Sequence, residues 1–184
     1  METKILCKIL ESIPDEYSVN NFVYSLYKVE CGNLKDFVCL VPVFKTLRAG
    51  DCILVEKFSI VGPIKTDKGL CNRPCYGLLR EITVIDESEY KPMLNVIFNT
   101  RLKFRLGARS TLQGVGTTKK PFIRFSIEPY NPFEQRFNML GVAFNKTAER
   151  ISTETGNISC EAEVCIKNLK SGDGYECCIN DYIK

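Results

Sequence analysis

Apolar residues along the chain recur in short runs that carry the two-residue alternation of strands, not the wider spacing of helices. Such runs, rich in Val, Ile, Phe and Tyr, stand between Gly, Pro and Asn breaks at 21–29, 37–44, 51–61, 77–85, 93–99, 101–106, 122–128, 136–145, 158–166 and 175–182. The pattern predicts an all-β chain with the strand spacing of a sandwich or barrel. Helix is predicted only at 4–12 and at 147–153, the latter weakened by β-branched residues. Val96 and Phe98 are expected on opposite sides of one strand. The turn at 112–122 carries two glycines, two lysines and a proline. It is read as the boundary between a first barrel, 1–116, and a C-terminal β extension, 117–184, packed on that barrel.

Composition narrows the field. With 184 residues, 45% hydrophobic and 26% charged, the chain can bury an ordinary core. A net charge of +3 is nearly neutral, which argues against nucleic acid or an anionic membrane as partner. No run approaches the roughly 20 apolar residues of a membrane helix. Lys8 and Glu11 interrupt the N-terminal apolar run, so the chain is expected to be intracellular and not secreted. Of the ten cysteines, Cys39, Cys52 and Cys165 lie inside apolar runs and read as reduced core thiols. The pairs Cys71 with Cys75 and Cys160 with Cys165 lack the spacing of a zinc ribbon, and Cys177 and Cys178 point to opposite faces of any strand. The chain has no histidine, which excludes histidine-containing zinc sites and histidine-based nucleophile relays. No metal and no cofactor are expected.

The stretch 82–115, ITVIDESEYKPMLNVIFNTRLKFRLGARSTLQGV, resembles the third and fourth motifs of the trimeric deoxyuridine triphosphatases. Val84, Ile85, Asp86, Tyr90, Leu94, Val96, Ile97, Asn99, Gly107, Arg109 and Gln113 fill the family's positions. Tyr24, Leu26 and Tyr27 resemble the first motif, with Ser25 where the family has its metal-binding acid. In RPCYGLL, Gly77 and Leu78 keep step with the second motif, while Cys75 and Tyr76 replace its polar phosphate-binding pair. Thr83 and Pro92 stand in place of two glycines of the third motif. SGDGYECC, 171–178, has the glycines and aromatic of the fifth motif without its Arg, and also reads as a hairpin turn at 172–174.

The resemblance implies a dUTPase-like antiparallel β-barrel or jelly roll whose catalytic chemistry is lost. If activity survived, Asp86 would be the water-activating base. Among degenerate relatives of that fold, the chain looks like the telokin-like proteins of baculoviruses. That likeness implies a noncatalytic viral protein in the host cytoplasm or nucleus, acting through an unknown protein partner. It also implies a monomer or weak oligomer, with a trimer as the alternative. Two other readings stand beside it. A nucleotide hydrolase with relocated ligands would use Asp86, Glu87, Glu89, Arg109 and Gln113. An OB-type single-strand binder is suggested by aromatic and basic residues interleaved in FIRFSIEPY, 122–130, and NTRLKFRL, 99–106.

Overall fold

The computed structural model describes residues 4–70, 73–116, 120–169 and 174–184. The chain is all-β, with one short helix and one 3-10 turn among those residues. It divides into two compact units, one of residues 1–96 with 131–135 and one of residues 97–130 with 136–184.

The first unit holds β1 (Ile5–Val19), β2 (Phe22–Cys31), β3 (Leu34–Pro42), β4 (Cys52–Val61) and β5 (Tyr76–Ile85), closed into a barrel in the order β1-β2-β3-β5-β4. Its pairs are antiparallel except β3 with β5, which run parallel at Cys39–Gly77 and Leu40–Leu78. Ile5, Cys7, Ile9, Val29, Phe37, Ile53, Val55 and Leu79 are buried. Cys7 and Cys31 face each other across β1 and β2 as free thiols, Sγ to Sγ 3.0 Å. Gly77 is required where it stands, because a Cβ there would lie 2.6 Å from Cys39 Sγ. Asp15, buried on β1, accepts hydrogen bonds from the Thr66 hydroxyl and from the N–H groups of Lys68 and Leu70, tying down the 62–70 segment.

The second unit holds β6 (Val96–Arg105, all but its first residue), β7 (Phe122–Pro129), β8 (Met139–Phe144), α1 (Asn145–Ser152), β9 (Asn157–Asn168) and β10 (Tyr175–Ile183). Its strands close in the order β10-β8-β7-β6-β9, with β8 and β10 parallel. Leu102, Phe104, Ile123, Phe125, Ile127, Ala143, Val164, Ile166 and Ile179 fill the inside by period two. Gly141 admits the Ile127 and Phe125 side chains, since a Cβ would approach Ile127 to 2.6 Å. Asn145, at φ +53, turns the chain from β8 into α1, a backbone position Asn tolerates better than most residues. Ala148 and Ile151 are the buried side of that helix.

Several expectations are corrected by these observations. One barrel over 1–116 with an extension over 117–184 is replaced by two barrels, because β6 pairs with β7 at Leu102–Pro129 and so belongs with the strands that follow it. The 112–122 turn lies inside the second unit, and its residues 117–119 fall outside the described ones. The helix expected at 4–12 is replaced by strand from Ile5 onward: Ile5, Cys7 and Ile9 are buried in alternation with half-exposed neighbours, and a barrel interior rewards that period. Val96 and Phe98 share the buried face, as residues two apart must. The runs 93–99 and 101–106 merge into the single strand β6. Cys177 and Cys178 do take opposite faces, and both are buried. Cys71 and most of the 172–174 turn lie outside the described residues.

Candidate functional site

The outer face of β7 and β8 is built from the positions that alternate with the core. Phe122, Arg124, Ser126 and Glu128 point outward on β7, opposite Phe144, Val142 and Leu140 on β8. Phe122 and Phe144 are register partners with ring centroids 6.3 Å apart, and Phe144 and Leu140 remain 39% and 37% exposed. The Arg124 guanidinium lies 5.2 Å from the Phe122 ring centroid, a cation–π contact that holds a charge beside the aromatic surface. Continuing across the sheet, Val142, Cys178 and Cys165 pack into an apolar floor. Burial pushes both thiols up, and the nearby Lys167 charge opposes that shift.

On β6, Lys103 and Arg105 lie opposite Glu128 and Ser126 and so share this outward face. Arg101 stacks over Tyr130 at 4.5 Å from its ring centroid. Glu128, the acid among the outward residues of β7, is paired by two hydrogen bonds from Arg136, at 3.0 and 2.8 Å, which hold its carboxyl below the usual range. Its β6–β7 part therefore offers aromatic rings and cations beside a paired carboxylate, while on β10 a second carboxylate, Glu176, stands opposite Leu140 and Lys167. Gln113 exchanges both backbone hydrogen bonds with Phe122, at 2.8 and 2.9 Å, and so fixes the connection from β6 against the aromatic pair. Gly114, at φ +76, makes that closure possible, since a Cβ there would meet the Lys120 carbonyl at 2.8 Å.

The residues of the nucleotide-hydrolase reading are divided between the two units. Asp86 opens the exposed 3-10 turn Glu87–Glu89, where its N–H donates to the Glu89 carboxylate, and Glu87 pairs with Lys8 at 3.3 Å. Arg109 and Gln113 belong to the other unit, and Gln113 serves the backbone pairing just described. Cys75 and Tyr76 are fully buried: burial raises the Cys75 thiol to about 12, and the Tyr76 hydroxyl accepts from the Arg73 N–H at 2.8 Å. Ser25 lines an open cleft of about 360 Å³ with Asp15, Glu16, Asp67 and Lys68. Among the described residues, no three Cys, Asp or Glu side chains are placed to hold a metal ion.

What the sequence shows of the outward face are Phe122, Arg124, Arg101, Lys103 and Arg105 in the two interleaved runs. Phe144, Leu140 and Lys167 are not singled out by it, because their membership depends on the β7–β8 and β8–β10 registers. Alternation within 139–144 marks Leu140 and Phe144 as outward once Met139 and Gly141 are placed inside.

Both units join five strands in the closed order first, second, third, fifth, fourth, and the second unit places its helix between the third and fourth strands. That connectivity defines the OB-type barrel, in which the face of the second and third strands is the usual ligand surface. In fold the chain is similar to the single-stranded DNA binding protein from Thermus aquaticus. The wild-type structure aligns at 13% identity and a TM-score of 0.56, over 98% of this chain and 91% of that one. A deletion mutant of the same protein aligns at 12% identity and a TM-score of 0.57, over 98% and 92%. No protein-family model matches the chain, and no curated protein matches it in sequence.

This likeness overturns the argument against nucleic acid as partner. A near-neutral net charge averages over the whole surface, whereas Arg101, Lys103, Arg105 and Arg124 are gathered on adjacent strands of one barrel. Local charge, not its sum, sets what a face attracts. Among the described residues no helix is long and apolar enough to cross a membrane.

Proposed function

We propose that the chain binds single-stranded nucleic acid on the outer face of β7 and β8, acting by binding and not by catalysis. Bases stack on Phe122 and Phe144, while Arg124, Lys103 and Arg105 meet the phosphates. The observation that carries this reading is the aromatic and cationic platform on the second and third strands of an OB-type barrel, the face on which such barrels take oligonucleotides. The Thermus aquaticus protein of similar fold supports it.

The experiment is an anisotropy titration of a labelled oligothymidylate and of a duplex at several salt concentrations. Salt-dependent binding of the single strand in preference to the duplex is expected. Equal binding of both, or binding of neither, contradicts the reading.

A second reading, contact with a protein partner, is favoured by Phe22 and Phe44 in the first unit, which are 64% and 84% exposed close to the backbone hydrogen bond between Val43 and Val23. Phe44→Asp separates the two: it leaves oligothymidylate binding unchanged and abolishes a contact of that kind. A dUTPase-like reading draws no such support, with Cys75 and Tyr76 in the core and Asp86 on an exposed turn.

A further inference from the structure

In the first barrel, β2 and β3 are the counterparts of β7 and β8, yet their outer face is not open. Leu26 and Leu40 are register partners on the side away from the inward-facing Cys39, and Tyr17, Tyr24 and Val38 pack with them. Into this aromatic surface fits Phe133, 7% exposed, with ring centroids 5.6 Å from Tyr17 and 5.3 Å from Tyr24. Phe133 comes from residues 131–135, which follow β7 in sequence but belong to the first unit. The Phe133 ring is tilted against the two tyrosines, at interplanar angles of 53° and 58°, and fills with an aromatic the strands where an OB-type barrel takes its ligand, so the surface beneath it is one that a nucleobase could contact in its place.

The clasp that holds Phe133 is short and polar. The Asn131 side chain accepts from the Phe133 N–H and donates to the Gln135 carbonyl, each at 2.9 Å, and the Gln135 amide donates to the Tyr17 hydroxyl at 3.2 Å. Glu134 sits at φ +58, a left-handed conformation that strains a residue with a Cβ. Phe133 also completes the buried cluster of Leu26, Leu40, Val61, Tyr76 and Leu78, so its departure uncovers apolar surface, but none of the barrel's strand pairings runs through its segment.

We propose that Tyr17 and Tyr24 form a second nucleobase-binding cage on the first barrel, and that Phe133 keeps it closed by occupying the place of the base. The cage rests on the single-strand reading above, and it adds a site that the unaltered chain conceals. The ligand class is a stacked nucleobase of a single strand.

The test counts oligothymidylates of about eight nucleotides, a length within the span of one OB barrel, bound per full-length chain by calorimetry. The unaltered chain binds one. Phe133→Ala, which empties the cage, and Asn131→Ala, which loosens the clasp while leaving the ring, each bind two, and adding Tyr24→Ala to Phe133→Ala restores one. Circular dichroism establishes which variants fold. If Phe133→Ala does not fold, the Asn131→Ala count decides. A count of one in every folded variant, or of two in the unaltered chain, overturns the cage while leaving the second barrel's site in place. No binding by any of the chains overturns the reading on which the cage rests.

Discussion

Phe122 and Phe144 face each other across β7 and β8 with ring centroids 6.3 Å apart, and both point away from the core that Ile123 and Ala143 fill. Two partly exposed aromatics side by side on a barrel face contribute little to folding and offer a stacking surface. Stacking of a base on an aromatic is worth about 1–3 kcal/mol, so Phe144→Ala should weaken oligothymidylate binding by about tenfold. Its thermal midpoint should stay close to that of the unaltered chain. Equal affinities in an anisotropy titration would remove Phe144 from the interface.

Arg124 and Lys103 should act through charge. Each cation that neutralises a phosphate releases counterions, so Arg124→Ala or Lys103→Ala should flatten the slope of log affinity against log salt by about 0.7. Lys57→Ala, a control on the first unit, pairs with Glu81 and should leave the slope unchanged.

Asp15 makes stability depend on pH in a defined direction. Burial alone would raise its carboxyl, but hydrogen bonds from Thr66, Lys68, Glu16 and Leu70 outweigh burial and bring it down to about 2. An unfolded Asp titrates near about 3.9. The stabilisation is therefore complete above that value and is lost as the pH falls toward 2. Asp15→Asn should lower the thermal midpoint at pH 7 and differ far less from the unaltered chain at pH 2. A gap of the same size at both pH values would contradict the account of Asp15.

Gly141 tests the packing of the second barrel. A methyl there would press on Ile127 at 2.6 Å and on the Phe125 ring at 3.2 Å. Overpacking of that kind costs about 1–3 kcal/mol, so Gly141→Ala should shift the urea midpoint down. Gly107→Ala, with nothing within 4 Å, should not.

How far the sequence reveals this molecule differs between its levels. The strands at 37–44, 51–61, 77–85, 122–128 and 175–182 are legible because alternation of Val, Ile, Phe and Tyr is a local property. The pairing of those strands is not: Leu102 with Pro129, or Cys178 with Val142, joins residues that no periodicity links, so two barrels read as one barrel and an extension. Residues 4–12 mislead because Leu6 and Leu10 add apolar side chains at helical as well as strand spacing, and pairing with β2 and β4 decides the matter. The likeness of 82–115 to a hydrolase motif rests on side chains that serve other ends here, Gln113 as a strand partner of Phe122 and Asp86 at the head of an exposed turn. The aromatic and basic runs on β6 and β7 are visible in the sequence. Their meeting with Phe144 on one face is visible only in the register.

The most direct measurement is photo-crosslinking of an oligonucleotide carrying 5-iodouracil to the full chain, with the attached residues identified by mass spectrometry. The account predicts attachment at Phe122, Phe144 or Tyr130, diminished by Arg124→Ala and by competing unlabelled single strand. Attachment confined to residues outside the β6–β7–β8 face would contradict it.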